Sequence, residues 1–476
     1  MHRLLVAVIV SISLNVYAQT DEQLPKLGDA ASGLISMEQE YALGRTWLRQ
    51  LRQQASSIND PLLTEYTENL VYRLAIHSQV SDRRFEIIIL NNPQLNAFAV
   101  PGGIIGINAG LYLHAQTEAQ FASVVAHELA HLSQRHFARR LEEGRKQTPI
   151  ALASLLGSLL LIATNNTEAG FAGLVTSQAA ATQNALSYSR DWEREADRIG
   201  FKTLVDAKID PAGMPQMFEQ MYNAHRYSQR PPEFLLTHPI TANRISDAAA
   251  RADNTNIDIQ PEDFEYALRR TALLIRYRPE SHSITHYEKQ LETAQHPRVK
   301  QMARYALAKL HLQQNNEKQA LTYINPLLED DSHRISYQVL YAKIKFALGQ
   351  QREALNYLEE LLQLSPGNHS LTMTYVELLG NDQQYHQAAT VLRGHVPSRE
   401  YDANLWQTLS ELEGKAGNRV GTLRARAEYL FLTGRKDQAL QQLKQALELS
   451  REQYLISARI EQRARDMARS AEELSF

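Results

Sequence analysis

His127-Glu128-Leu129-Ala130-His131 decides what the rest of this 476-residue chain can be. On a helix, side chains four residues apart share a face, so the two imidazoles can point at one metal ion. Glu128 follows the first of them, where its carboxylate can reach a water on that ion and take its proton. The lead-in, Glu118-Ala-Gln-Phe-Ala-Ser-Val-Val-Ala126, has neither Gly nor Pro and reads as the start of the same helix. Taken alone, the pentapeptide has a competing explanation as two surface histidines on an ordinary helix.

A catalytic zinc site takes three protein ligands and leaves a fourth position for water. The metzincin spacing is excluded, because Gln134 and Phe137 stand where that pattern needs Gly and His. His136 lies five residues past His131, which on a continuous helix turns it off the ligand face and predicts a polar surface residue. Further on, Ser189-Arg190-Asp191-Trp192-Glu193-Arg194-Glu195-Ala196-Asp197 places Glu193 and Asp197 four apart, two carboxylates on one helical face. One can bind the metal while the other holds a ligand imidazole in the right tautomer. A solvated face laced with Arg–Glu pairs is the competing explanation. The chain has no cysteine, so disulfides and thiolate metal sites are excluded, and His and carboxylate must supply the ligands.

The start of the chain predicts export. Met1-His2-Arg3 is a short basic opening, Leu4 to Val16 is apolar except for Ser11, Ser13 and Asn15, and Val16-Tyr17-Ala18 offers small residues to a signal peptidase. Cleavage is expected after Ala18, since the apolar run is shorter than the roughly 20 residues a membrane span needs. A bacterial periplasm fits, because a chain of this length buries a core without disulfides. With 43% hydrophobic and 22% charged residues, it is globular rather than disordered, and its length predicts two or three domains. A net charge of −3 leaves no basic footprint, and no base-reading motif occurs, so nucleic acid is excluded as a partner.

The HELAH motif, followed about sixty residues later by Ser189-Arg190-x-x-Glu193-x-x-Ala196-Asp197, resembles the M48 peptidase family of zinc metallopeptidases. Asn96-Ala97-Phe98-Ala99-Val100-Pro101-Gly102-Gly103, running on into Ile104 to Ile107, is similar to that family's strand beside the zinc. Thr237-His238-Pro239, with Arg244 six residues after the histidine, is similar to its second active-site signature. The resemblance covers residues 30–265. It implies a gluzincin-like domain with one zinc per chain, held by His127, His131 and Glu193 (not Glu195), with Asp197 behind the ligands. It also implies misassembled outer-membrane beta-barrel proteins as substrates and the barrel-assembly machinery as partner.

The residues around these motifs have their own chemistry. Arg84 to Leu90 is a beta-branched run ended by Asn91-Asn92-Pro93, and Asn96–Val100 with Ile104–Asn108 reads as a strand pair around a turn. An edge strand formed by Asn96, Ala97, Phe98 and Ala99 can take a substrate peptide as an added strand; a plain structural hairpin is the alternative. His238 can donate to a tetrahedral oxyanion, close the zinc site as a fourth ligand and make the enzyme latent, or be an ordinary loop histidine. Arg244 is a further catalytic candidate, orienting a carboxylate or contacting a substrate carbonyl. Pro149 to Ala163 is apolar but too short to span a bilayer, which leaves a buried helix, a lid, or peripheral contact with a membrane surface.

Beyond Glu265, Gly and Pro thin out and Leu, Ala, Gln, Tyr and Glu recur at helical spacing. Ala320, Ala354 and Ala388 are each 34 residues apart, the tetratricopeptide period, with Gly349 as a turn residue five before Ala354. The register runs on to Thr422, whereas Gly434 to Ala439-Leu440 comes half a period late, so a helix near 418–432 is either shared or packed irregularly. Stacked pairs of this kind bury a common core and present a concave face.

The expected fold is therefore mainly α. A signal peptide (1–18) precedes an α+β zinc metallopeptidase domain with a small sheet (19–265). Connecting helices (266–299) lead into an α-helical tetratricopeptide-repeat solenoid (300–476), with about four repeats between 300 and 450. The expected function is a periplasmic zinc endopeptidase that degrades misassembled barrel proteins and assists assembly, its repeats engaging the machinery or the substrates. The alternative is a periplasmic chaperone or adaptor whose proteolysis is latent or secondary.

Overall fold

The computed structural model describes residues 36–143, 157, 160, 189–226 and 233–469. The expected signal peptide lies outside these residues, and so does the 149–163 stretch except for Gly157 and Leu160. Among the described residues, no helix is long and apolar enough to cross a membrane.

Among the described residues, the expected small sheet has three strands: β1 (Glu86–Leu90), β2 (Ala97–Val100) and β3 (Ile104–Asn108), in the order β1-β3-β2. β3 runs parallel to β1, with Ile88 opposite Gly106, and antiparallel to β2, with Phe98 opposite the same glycine. The reversal between β2 and β3 depends on Gly102 and Gly103, whose φ values of 80° and 75° suit residues without a Cβ. β2 stands at the sheet edge, yet all four of its residues are buried.

The amphipathic helix Met37–Gln54 starts in a capping box between Ser36 and Gln39. It lays Trp47, Leu48 and Leu51 against Phe98, Val100 and Ile104 of the sheet. The helix comes so close to the β2–β3 turn that a Cβ on Gly44 would lie 2.1 Å from the Pro101 carbonyl oxygen. Behind the sheet, the helix Glu118–Ser133 is buried from Glu118 through His131, as its small and apolar residues on every face require. It packs against β2 and against the helices Pro61–His77, Arg190–Asp206 and Gly213–Arg226.

The C-terminal region is a stack of helix pairs: Pro297–Gln313 with Glu317–Asp330, Ile335–Ala347 with Gln351–Leu364, His369–Asn381 with Tyr385–His395, and Ala403–Lys415 with Arg419–Leu432. Each pair turns on a left-handed residue, Asn315, Gly349, Gln383 and Gly417, spaced at the 34-residue period. Ala320, Ala354 and Ala388 follow five residues later and are fully buried where the helices meet. Gly434 repeats this turn half a period on, with φ 75°. The helix Arg419–Leu432 therefore closes the fourth pair and also packs on Lys436–Leu449, so it is the shared helix. Tyr454–Arg469 completes the stack.

One helix belongs to both regions. Phe264–Tyr277 gives Tyr266, Leu273 and Leu274 to the N-terminal core, and Phe264 and Leu268 to the first repeat core. The stack then returns to the helices where the described chain begins. Glu65 accepts hydrogen bonds from Asn368 Nδ2 (2.8 Å) and the Ser370 N–H (3.2 Å), Arg399 pairs with Glu68 (2.5 Å), and the Arg49 guanidinium lies over Phe431.

Replacing Gly44 by Ala forces the first helix away from the turn that carries β2. Urea denaturation should show a loss of about 1–3 kcal/mol, the usual cost of overpacking. An unchanged midpoint would mean the contact yields freely.

Candidate metal centre

Two helices and one short turn bring the site together. Thr117 caps the helix Glu118–Ser133, and Ser189 caps Arg190–Asp206 by accepting from the Trp192 N–H. The two helices cross on small residues, with Ala130 packed on Ala196 and Gly200 placed so that a Cβ would lie 3.1 Å from the backbone of Ala126 and His127. That closeness carries Glu193 into reach, with Oε2 3.5 Å from His127 Nε2 and Oε1 3.4 Å from His131 Nε2. The two histidine Nε2 atoms are 3.0 Å apart.

His238 enters from the end of the short helix Phe234–Thr237, where its N–H donates to the Phe234 carbonyl and its ring stacks on Phe234 at 4.6 Å. Its Nδ1 lies 3.3 Å from His127 Nε2 and 3.0 Å from Glu193 Oε1, and its Nε2 lies 3.4 Å from Glu128 Oε1. His127, His131, Glu193 and His238 are all buried, and each offers a ligand atom within 4.8 Å of the others. Ligands at zinc distances of 2.0–2.2 Å around a tetrahedron stand roughly 3.3–3.6 Å apart, close to the four separations of 3.0–3.5 Å given above, within a set that spans up to 4.8 Å.

A ring of charged groups surrounds the cluster. Asp197 Oδ1 lies 3.0 Å from His127 Nδ1. Arg244, almost fully buried, donates through Nε and Nη2 to Asp197 and pairs through Nη1 with Glu193, each at 2.7 Å. Its guanidinium thus faces the two carboxylates of the Glu193–Asp197 pair and fixes their positions. Burial works against charge on Glu193, but His238 and Arg244 outweigh it and hold the carboxyl well below the usual range. Asp197 is held down in the same way, chiefly by Arg244. Burial also opposes charge on His127, yet the neighbouring Asp197 and Glu193 carboxylates lift it to about 9, while burial drives His131 down. Glu128, on which the Ala99 N–H of β2 is directed, is raised above the usual carboxylate range by burial, despite the neighbouring His238 and His127. A carboxyl raised in this way is suited both to take and to return a proton.

His136 is not the surface residue its spacing predicts. The helix stops at Ser133, Arg135 takes a left-handed conformation (φ 49°), and a new helix, His136–Glu143, begins. That break turns His136 inward. It is fully buried, with Nδ1 2.8 Å from His131 Nδ1 and Nε2 3.2 Å from Glu195 Oε2. Burial pushes it down to about 4. Nothing in a single sequence marks a left-handed arginine, so i+5 spacing was a misleading guide. Glu233 was also beyond sequence reasoning: it is buried beside Asn96 and Asn108, whose Nδ2 atoms make long contacts of 3.4 and 3.5 Å with its Oε2. Among the strand candidates, Asn96 is therefore engaged with Glu233, and Ala97, Phe98 and Ala99 lie in the buried strand above Glu128.

Comparison with known proteins agrees with these features. The family model described as Peptidase family M48 matches residues 61–252. The Beta-barrel assembly-enhancing protease of Escherichia coli (strain K12) is 32% identical over 443 residues, which cover 93% of this chain and 91% of that protein. The Putative beta-barrel assembly-enhancing protease of Vibrio cholerae serotype O1 is 33% identical over 467 residues, covering 97% and 95%. The Mitochondrial metalloendopeptidase OMA1 of Schizosaccharomyces pombe is 28% identical over 182 residues, covering 38% of this chain and 51% of that one.

Burial lifts Glu233 to about 7, with the two asparagines offsetting only part of the effect. A folded-state acid raised above its unfolded value keeps its proton where the unfolded chain has lost it, so stability falls as pH rises from about 4.3 to about 7 and then levels off. Glu233→Gln removes that titration. Its melting temperature should exceed that of the unmodified protein by a margin that grows between pH 5 and 7 and is constant above. A margin independent of pH would contradict the shift.

Proposed function

The chain belongs to peptidase family M48 and is a metalloprotease, and from that footing we propose that it is a zinc-dependent endopeptidase of the periplasm. In this proposal it degrades misassembled outer-membrane beta-barrel proteins and assists their assembly. The buried cluster of His127, His131, Glu193 and His238 beside Glu128 is the observation that carries it. The division proposed is a leader removed after Ala18, a peptidase domain to 265, connecting helices to 299, and a repeat domain that engages the assembly machinery or the substrates. The printed names of the relatives from Escherichia coli and Vibrio cholerae support the link to barrel assembly.

His127, His131 and Glu193 would hold the ion, which when bound supplies a Lewis acid that acidifies water and polarises a peptide carbonyl. Glu128 takes the proton of the attacking water and returns it to the leaving amine. Asp197 keeps His127 in the tautomer with Nδ1 protonated. Arg244 holds Glu193 and Asp197 in place and so acts through the ligands as a positioning residue. β2, at the sheet edge above Glu128, would align a substrate as an added strand. Because His238 sits within the ligand cluster, we assign it as a fourth ligand that closes the site at rest. That assignment supports the second reading, a periplasmic chaperone or adaptor with latent proteolysis, as another state of the same molecule.

Glu128→Gln should lower cleavage of an unfolded barrel protein by about 10²–10⁴-fold while leaving metal content and melting temperature unchanged. Undiminished cleavage would sink the assignment of the base. His238→Ala should raise cleavage if the histidine closes the site, whereas a fall in rate would instead make it an oxyanion donor.

A further inference from the structure

The two imidazoles of the metal cluster that share a helix are held in different ways. His127 Nδ1 faces the Asp197 carboxylate directly at 3.0 Å. His131 Nδ1 faces a second imidazole, with His136 Nδ1 at 2.8 Å. Two bare ring nitrogens at that distance repel unless a cation lies between them, as is proposed between the Nε2 atoms of His127 and His131 but not here, so one of this pair carries the proton. The far side of His136 decides which. Its Nε2 lies 3.2 Å from Glu195 Oε2, an oxygen that also accepts from Arg139 Nη1 at 2.9 Å and can only accept. His136 therefore carries its hydrogen on Nε2, and its Nδ1 is a bare acceptor. His131 Nδ1 donates to it, and His131 Nε2 keeps its lone pair beside His127 and Glu193. The reverse arrangement, with His136 donating from Nδ1, would leave His131 protonated on Nε2, where it cannot bind a metal.

We infer that His136, oriented by Glu195, is a positioning residue that fixes the tautomer and ring angle of His131 for metal binding. The inference rests on the proposal that the cluster holds zinc. The local fold is arranged around this contact. Arg135 adopts its left-handed conformation with its guanidinium bound to Glu40 at 2.8 and 3.1 Å, and this conformation turns His136 back toward His131. Trp192 stacks on the His136 ring with centroids 5.4 Å apart and planes within 7°, and Arg139 lies over the same indole. Ligand histidines ordinarily pass their second N–H to a carboxylate or carbonyl. Here an imidazole is inserted between ligand and carboxylate, so His131 reaches Glu195 in two steps where His127 reaches Asp197 in one.

The test compares zinc affinity, by competition with a chromophoric chelator, for the full chain, His136→Phe and His136→Gln. Unfolding midpoints of the metal-free proteins serve as the check on fold. Phe keeps the ring that stacks on Trp192 but cannot accept a hydrogen bond, and zinc binding should weaken by about 10–100-fold, the usual effect of removing such a partner. Gln offers an oxygen to His131 and an N–H to Glu195, and should recover most of that loss. Zinc bound as tightly by His136→Phe as by the unmodified chain would overturn the inference while leaving the zinc proposal intact. His136→Gln as weak as His136→Phe at an equal unfolding midpoint would also overturn it. An unmodified chain that binds no zinc would overturn the zinc proposal and this inference together.

Discussion

Everything at the metal centre depends on how closely two helices can approach. Glu193 and Asp197 reach the histidines because Ala130, Ala196 and Gly200 let Arg190–Asp206 lie almost directly on the backbone of Glu118–Ser133. A single methyl group on Gly200 would stand 3.1 Å from the peptide joining Ala126 to His127. With larger residues at the crossing, the motif on one helix and the carboxylates on the other would remain intact but fail to meet. Distances of a few tenths of an ångström decide whether four side chains make one site, and packing sets those distances.

The second consequence is electrostatic. The crossing buries Glu128 and Glu193 and leaves Asp197 only partly exposed beside them, where unpaired carboxylates are costly. Arg244 answers two of them, and its own burial is tolerable because both partners are within 2.7 Å. A divalent cation held as proposed by His127, His131 and Glu193 would supply the remaining positive charge and would couple metal binding to the stability of this core. Glu128 lies outside the Arg244 clamp and is raised rather than lowered, which sets the proposed proton-transfer group apart from the proposed ligand Glu193.

Much of this was legible in the residues. HELAH and the Glu193–Asp197 pair are helical spacings, and helical spacing survives into three dimensions with little help from the rest of the fold. Gly102 and Gly103 announced the β2–β3 turn because few other residues accept those angles. The 34-residue period was legible for the same local reason, whereas the late Gly434 left a shared helix and irregular packing as equal alternatives. What could not be read depends on contacts between distant parts of the chain or on a local exception. His136 is placed by a left-handed arginine held by Glu40, and Glu233 by two asparagines more than a hundred residues away. The return of the repeat stack to Glu65 and Glu68 likewise has no sequence signature, because it is set by the accumulated rotation of many helix pairs.

We propose that the crossing helices build one metal site from His127, His131 and Glu193. It is tested most directly by counting zinc per chain, by mass spectrometry, in the purified protein and in Glu193→Gln. About one zinc is expected in the former and a loss or sharp weakening in the latter, with both proteins folded. Folded unmodified protein that takes up no zinc, or a variant that keeps its full complement, would contradict it.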